Sequence, residues 1–476
     1  MDNLIQNLYI TYSNQKARDL KTHGMLKSLD KVITLDNLIL ELFESKSFDL
    51  IINEAIASSI IHKIIQTNEI EYFSYLNEDA VSLNTIYNFI IKCKRNSVAF
   101  EALLSDKKLK AISKIDKAYQ EYKKTNKLVD ISDIEQTFLD NWDSYFKDSY
   151  SEIFVNSFDI EEISYIKSKN QQLILEKLAK YKTIEKTIEI LNNLKILKPS
   201  NEVFDNIDEV KTAIRIARKF LEEGENASDI LIVASDIQEY APLYKLFLNE
   251  YGMKGYSSIG TPLTSFYNTT NSKVKIALND YKSQIESLAA LYKKLDLNFN
   301  ETTKENLKAS ISILDDKVGI ELTEPNQIVG LSKKYKHIIF IGTDINHFPP
   351  KASDNFLYSY DDDIKYFYAN NYFTSSQTQL NELKRLSENL YIITASYSGK
   401  RELTASILIG NDFDETIDIS DVKSVAQLAL DNQTKKPDTN TNNYYESILS
   451  RDFTAFDGNG VKGLKATHLS ASQINK

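Results

Sequence analysis

The chain has one cysteine, Cys93, in 476 residues. That excludes a disulfide framework and any metal or iron–sulfur site built from several cysteines of this sequence. Glycine (13) and proline (7) are also sparse, so helices are expected to dominate over turn-rich β structure. No run approaches the roughly 18 apolar residues of a membrane span. The first residues, Met1-Asp2-Asn3-Leu4-Ile5, lack the basic start and long apolar core of a signal peptide. A soluble, cytoplasmic protein with no membrane partner is expected. Cations are in deficit: the net charge of −10 excludes a uniformly basic nucleic-acid coat but leaves room for a local channel. No Gly-x-x-x-x-Gly-Lys-Ser/Thr occurs anywhere. That loop wraps phosphates with backbone N–H groups, supplies charge from its lysine and holds Mg²⁺ with its hydroxyl.

What is present suffices for real cores. Apolar residues make up 42%, with 28 Tyr and 22 Phe, and the length points to two or three domains. The organising stretch is 328–350. Residues 337–341 are a short apolar run with basic residues before it and Gly342-Thr343-Asp344 after it. That is the pattern of a buried parallel strand feeding a loop at its carboxyl end. Ligands in open α/β sheets sit outside the carboxyl ends of strands, so residues 343–348 are a candidate site. The alternative is a core strand and its turn.

Taken in order, 8–11 and 32–35 read as strands, each followed by a helix, with Ser13 or Asn14 capping the first and Thr34 or Asp36 the second. This is the start of a doubly wound α/β domain. From 50 to about 124, within a stretch that runs to about 148, almost everything reads as helix. Within it Lys107, Lys110, Lys114 and Lys117 are spaced three or four apart, so a helix puts them on one face. Lys108, Lys123, Lys124 and Lys127 add charge, and Asp106, Asp116 and Glu121 dilute it. Clustered cations of this kind suit DNA phosphates; a solvated helix face is the alternative.

Residues 153–155 read as a buried strand that runs into Asn156 and Ser157, with Asp159 placed to cap a following helix. Long helices are expected over 161–197, and Pro199-Ser200-Asn201 is a domain boundary. A helix over 208–223, a strand over 230–234, another helix and a loop at 255–260 continue the α/β order. Further helices are read at 273–297 and 378–388 and a strand at 390–395; Asp361-Asp362-Asp363 reads as an acidic helix start. Residues 410–465 read as a polar linker.

Several of these stretches resemble one family. "Leu8-Tyr9-Ile10-x-x-Ser13-x-Gln15-x-Ala17", the helix–strand–helix order over 202–263, the strand ending in Gly342 and Phe348-Pro349, and Ser406-Ile407-Leu408 after a strand and polar turn are similar to UvrD-like helicases. More closely they resemble the AddB-type subunit of ATP-dependent helicase–nucleases. Leu469-Ser470-Ala471-Ser472-Gln473-Ile474 resembles the opening of that family's PD-(D/E)XK nuclease domain.

The resemblance implies an α/β, helix-rich fold of two RecA-like, UvrD-type doubly wound domains. They would cover 1–198, with a helical insertion at about 50–148, and 199–409, also with a helical insertion. A linker over 410–465 and the bare start of a nuclease domain at 466–476 would follow, as in a truncated polypeptide. It implies DNA, as double-stranded ends or a single strand, and an AddA/UvrD-like motor subunit as partners, in double-strand break repair. It also implies an inactive motor with no catalytic residue. The turn 12–16 has no glycine where an active motor has its nucleotide loop. Asn156 and Ser157 stand where a carboxylate pair would hold Mg²⁺. Asp159, Arg385 and Arg401 are the remaining positions of that degenerate nucleotide site. No cofactor is expected in this chain; Mg²⁺ and an iron–sulfur cluster are implied only for the missing nuclease domain, as is its exonuclease activity. An active ATP-dependent helicase and an unrelated α/β scaffold are the alternatives.

Overall fold

A computed structural model describes residues 7–11, 14–23, 26, 29–68, 70–76, 80–142, 152–156, 168–184, 194–266, 271–331, 333–350, 355–367, 372–410 and 413–434. β1 (Asn7–Thr11) leads through α1 (Asn14–His23) to β2 (Lys31–Thr34). Thr34 then caps α2 (Leu35–Glu44) by accepting the Asn37 N–H. A two-residue strand, β3 (Leu50–Ile51), opens an excursion of three helices, α3 (Glu54–Thr67), α4 (Ala80–Asn96) and α5 (Asp106–Asn126). β4 (Leu128–Val129) closes it by pairing with β3. The chain then returns through α6 (Ile131–Asp140), β5 (Glu152–Asn156), α7 (Lys169–Leu178) and β6 (Lys182–Ile184).

These strands form a four-stranded parallel sheet, β2-β1-β5-β6. Its core sets Leu8, Ile10 and Val155 against Ile134, Phe138 and Trp142. α6 therefore belongs to the sheet, and the helical excursion spans 52–127, shorter than the expected 50–148. A capping box, in which Asp130 and Asp133 each accept the other's backbone N–H, starts α6 sharply at that point.

The second half begins with β7 (Lys195–Pro199), α8 (Asn206–Glu222), β8 (Ile230–Ala234), α9 (Ile237–Glu250) and β9 (Gly255–Ser257). After β10 (Thr261–Pro262) come the helices α10 (Ser272–Lys294) and α11 (Glu301–Ser310) and the strands β11 (Ser312–Ile313) and β12 (Ile320–Thr323). The short α12 (Pro325–Ile328) leads to β13 (Tyr335–Ile341). It is followed by α13 (Tyr360–Tyr366), α14 (Tyr372–Leu386) and β14 (Ser387–Ile392). A small hairpin of β15 (Tyr397–Ser398) and β16 (Arg401–Glu402), then β17 (Glu415–Ile417) and α15 (Val425–Thr434), complete the described chain.

Seven strands make a second sheet, β17-β7-β14-β13-β8-β12-β9, again parallel throughout. β8 is buried over its whole length and β13 from His337 to Ile341. Each fully buried aliphatic side chain stabilises by roughly 1.5–3 kcal/mol, so this central pair anchors the half. The sheet starts at Lys195 and takes its last strand from 415–417. The expected boundary at 199 thus falls at the end of its first strand, and the expected linker supplies both β17 and α15. The helices expected over 161–197 reduce to α7, because β6 and β7 occupy the rest of the described part. No helix among the described residues is long and apolar enough to cross a membrane.

The excursions of the two halves share one core. Ile56, Ile60, Ile90, Ile112 and Tyr119 of the first pack with Tyr292, Leu295, Leu357 and Phe367 of the second. Lys63 bonds Asp296 at 2.8 Å, and the Tyr122 hydroxyl donates to the Leu295 carbonyl.

Candidate functional site

Three places bear on function. The first is α5. Ala111, Ile112, Ile115 and Tyr119 form its buried stripe, which fixes its rotation about its own axis. Lys107, Lys110, Lys114 and Lys117 consequently all face solvent, as does Lys124. Lys107, Lys110 and Lys117 have no ion pair among the described residues, and Lys114 reaches the Asn68 carbonyl at 2.5 Å. The structure also changes the charge balance. Asp116 is paired with Lys94 at 2.7 Å, so only Asp106 and Glu121 of the diluting carboxylates share the exposed face. Lys123, expected to add charge outside, points inward: its ammonium bridges Asp130 at 2.5 Å and Asp133. The Tyr119 hydroxyl donates to the same Asp130 carboxylate at 3.1 Å. Although burial works against ionisation, Lys123 and hydrogen bonds from the Ser132 hydroxyl and the Asp133 N–H hold the Asp130 carboxyl below its usual range.

The second place is the four-stranded sheet's switch point. From β1 the chain moves to β2 on one side and later to β5 on the other, and a crevice opens where the direction reverses. Ile10 lies beside Val155, so the carboxyl ends of β1 at Thr11 and of β5 at Asn156 come together there. Ser157 and Asp159 lie outside the described residues. Arg385 does not join any such site. It sits just before β14, at the amino ends of the strands of the seven-stranded sheet. Its guanidinium holds Glu382 at 2.8 Å and the Leu331 carbonyl at 2.7 Å. Arg401 lies on β16, beyond the carboxyl end of β14, and is exposed.

The third place is the switch point of the seven-stranded sheet, between β8 and β13, at the loop 343–348. The chain fills this crevice with its own side chains. Glu209 of α8 is 0% exposed. One of its oxygens accepts the Gly342 and Ala395 N–H groups at 3.2 and 3.1 Å, and the other accepts the Tyr240 hydroxyl at 2.6 Å. Burial pushes the Glu209 carboxyl up to about 8, against the pull of the bonds from Tyr240 and Gly342. Gly342 has φ +70°, and a Cβ there would meet the Ser235 hydroxyl at 2.2 Å, so only glycine fits. Ser235 donates to the Gly342 carbonyl at 2.5 Å.

Further along the loop, His347 is clamped between two carboxylates, Nδ1 to Asp344 at 2.5 Å and Nε2 to Glu239 at 3.3 Å. The Asp344 hydrogen bond raises the imidazole to about 9. Burial alone would raise the Asp344 carboxyl, but His347 and the Asn346 N–H hold it below its usual range. A histidine fixed in this way is a cationic clasp and has no lone pair to act as a base.

Glu209 gave no warning as a site residue because acids are common in a helix's first turn. The missed signal is position: 209, 213, 216 and 220 share a helix face, and the last three are apolar.

No group of three His, Cys, Asp or Glu among the described residues is placed to hold a metal ion. Cys93 is buried in the helical core, where burial pushes its thiol up to about 12, so it does not fit a cluster-ligating thiolate. No protein-family model matches this chain, and no curated protein does.

Proposed function

We propose that the chain is a non-catalytic, helicase-like DNA-binding scaffold, the corresponding part of an AddB-type helicase–nuclease subunit in double-strand break repair. One observation carries this reading: α5 presents Lys107, Lys110, Lys114, Lys117 and Lys124 to solvent, while Asp116 is withdrawn into a pair with Lys94. Phosphate binding needs clustered cations that the protein has not already neutralised. The parallel sheets and the resemblance of 202–263 to UvrD-like second domains support the helicase-like part. The inactive part rests on chemistry. The turn 12–16 has no glycine, Asn156 stands where a Mg²⁺ carboxylate would be, and Glu209 fills the second crevice.

The test is binding of a fluorescent duplex with a single-stranded tail at low salt. The chain binds it, and Lys107→Glu/Lys110→Glu/Lys114→Glu weakens binding by roughly 100-fold or more, since each reversed charge removes a released counterion. Unchanged affinity in the triple variant sinks the reading. DNA-stimulated ATP hydrolysis by the wild-type chain would replace it with the active helicase.

A further inference from the structure

The crevice between β8 and β13 is filled inside, but its outer rim leaves large apolar side chains in water. Phe204 is 55% exposed, Ile207 42%, Ile345 48% and Ile407 79%. Scattered single residues of this kind need no explanation, whereas a joined group does. Hydrogen bonds join the three segments that carry these four. Tyr397 N–H donates to the Phe204 carbonyl at 2.8 Å, with the two rings 4.9 Å apart. Ile345 N–H donates to the Thr404 carbonyl at 2.9 Å, and Ser406 N–H, next to Ile407, to the Thr343 carbonyl at 2.9 Å. The Asn206 amide donates to Glu239 at 2.6 Å, and Glu239 also holds His347. These ties fix the start of α8, the 343–348 loop and the 396–407 segment against one another, so little ordering is left for a partner to impose.

The rim is acidic. Glu202, Asp236, Glu239 and Glu402 are exposed and Asp205 and Asp208 partly so, against Lys400 and Arg401. Such a surface repels nucleic acid. An apolar centre with a predominantly acidic rim fits a protein segment of opposite sign: the centre supplies affinity and the rim steers encounter.

We propose that this rim, centred on Phe204, Ile207, Ile345 and Ile407, is a docking surface for a basic, apolar segment of a partner protein. The inference deepens the scaffold reading, on which it rests for the existence of a partner. It also separates the two duties in space, with DNA on the lysine face of α5 and protein on the acidic rim.

The probe is a fluorescein-labelled helical peptide of leucines and lysines, titrated into the full chain. Phe204→Ser/Ile407→Ser leaves every charge in place and is expected to weaken peptide binding by roughly tenfold or more. Leu246→Ser/Ile276→Ser, at exposed apolar positions elsewhere, is expected to change it less than about twofold. Thermal melting of both variants checks that they fold. No peptide binding, or equal binding by all three proteins, overturns the proposal. So does self-association of the wild-type chain that Phe204→Ser/Ile407→Ser abolishes, because the occupant would then be a second copy. DNA binding is read in the same samples: peptide binding through the rim without any DNA binding keeps the docking surface and rejects the nucleic-acid reading.

Discussion

The lysine face of α5 and the crevice between β8 and β13 are both rich in ionisable groups, and they use them in opposite ways. On α5 the cations stand in water with little opposing charge beside them. In the crevice Glu209, Asp344 and His347 are turned inward and satisfied by the chain's own donors and acceptors. A charge left to solvent is available to a partner; an ionisable group already hydrogen-bonded inside is a structural part whose loss is felt in stability. α5 shows the difference within one helix: Lys117 is exposed and Lys123, six residues on, is 3% exposed against two aspartates.

The largest effect expected from breaking this contrast is at Lys123. Lys123→Met strands the Asp130 carboxylate in the core and should cost about 3–5 kcal/mol in denaturant unfolding. Lys117→Met should cost less than about 0.5 kcal/mol. Similar losses in the two variants would show that the two faces of α5 do not differ as described.

Next comes Glu209. Glu209→Ala leaves the Gly342 and Ala395 N–H groups without their acceptor and should cost about 3 kcal/mol. Its pH dependence sharpens the test. The folded group titrates near 8, against 4.5 for an ordinary glutamate. Its contribution is therefore fully present below 4.5 and is lost as pH rises to 8, at roughly 1.4 kcal/mol per pH unit. Glu209→Gln should flatten that slope; a slope unchanged in the variant would mean that Glu209 is ionised when folded. His347 adds a smaller loss in a higher window. Its stabilisation is complete below 6.5 and disappears as pH passes about 9, so Asp344→Asn should remove the fall between those values and cost about 2 kcal/mol at pH 6.

His337 makes a smaller, opposite test. It stacks on Phe220 with ring centroids 3.7 Å apart, and neither ring nitrogen has a hydrogen-bond partner among the described residues. Burial lowers the imidazole to about 4. Its contribution is present above 6.5 and is lost as pH falls through 4. His337→Phe should be neutral or about 1 kcal/mol stabilising near neutrality and should remove this acid-side loss. A clear destabilisation at pH 7 would show that the histidine has an unseen partner.

Much of the architecture was legible because buried parallel strands are continuous apolar runs. β8, the His337–Ile341 part of β13 and the last three residues of β14 stand out for that reason, although the strand expected at 390–395 begins and ends three residues earlier, and Thr34 was readable as a cap. β7, β12 and β17 were not. Each is short, and residues such as Lys198, Glu321 and Glu415 interrupt the apolar pattern where one side of the strand reaches solvent. The loop 343–348 was readable as a place from the strand before it, but its filling was not, because Glu209 and Tyr240 arrive from distant helices. The four lysines were readable as one face from spacing alone. That the face points to solvent and that Asp116 leaves it required the packing of α4 and α5.

If α5 contacts DNA as proposed, the salt dependence of DNA binding will reveal it. The observed constant for a tailed duplex would be measured from about 50 to 200 mM salt for the wild-type chain and for Lys107→Glu/Lys110→Glu/Lys114→Glu. A steep logarithmic slope is expected for the wild type, reduced by about 2–3 in the triple variant, roughly one unit for each phosphate no longer neutralised. Parallel slopes of equal affinity would contradict it and return these lysines to an ordinary solvated helix surface.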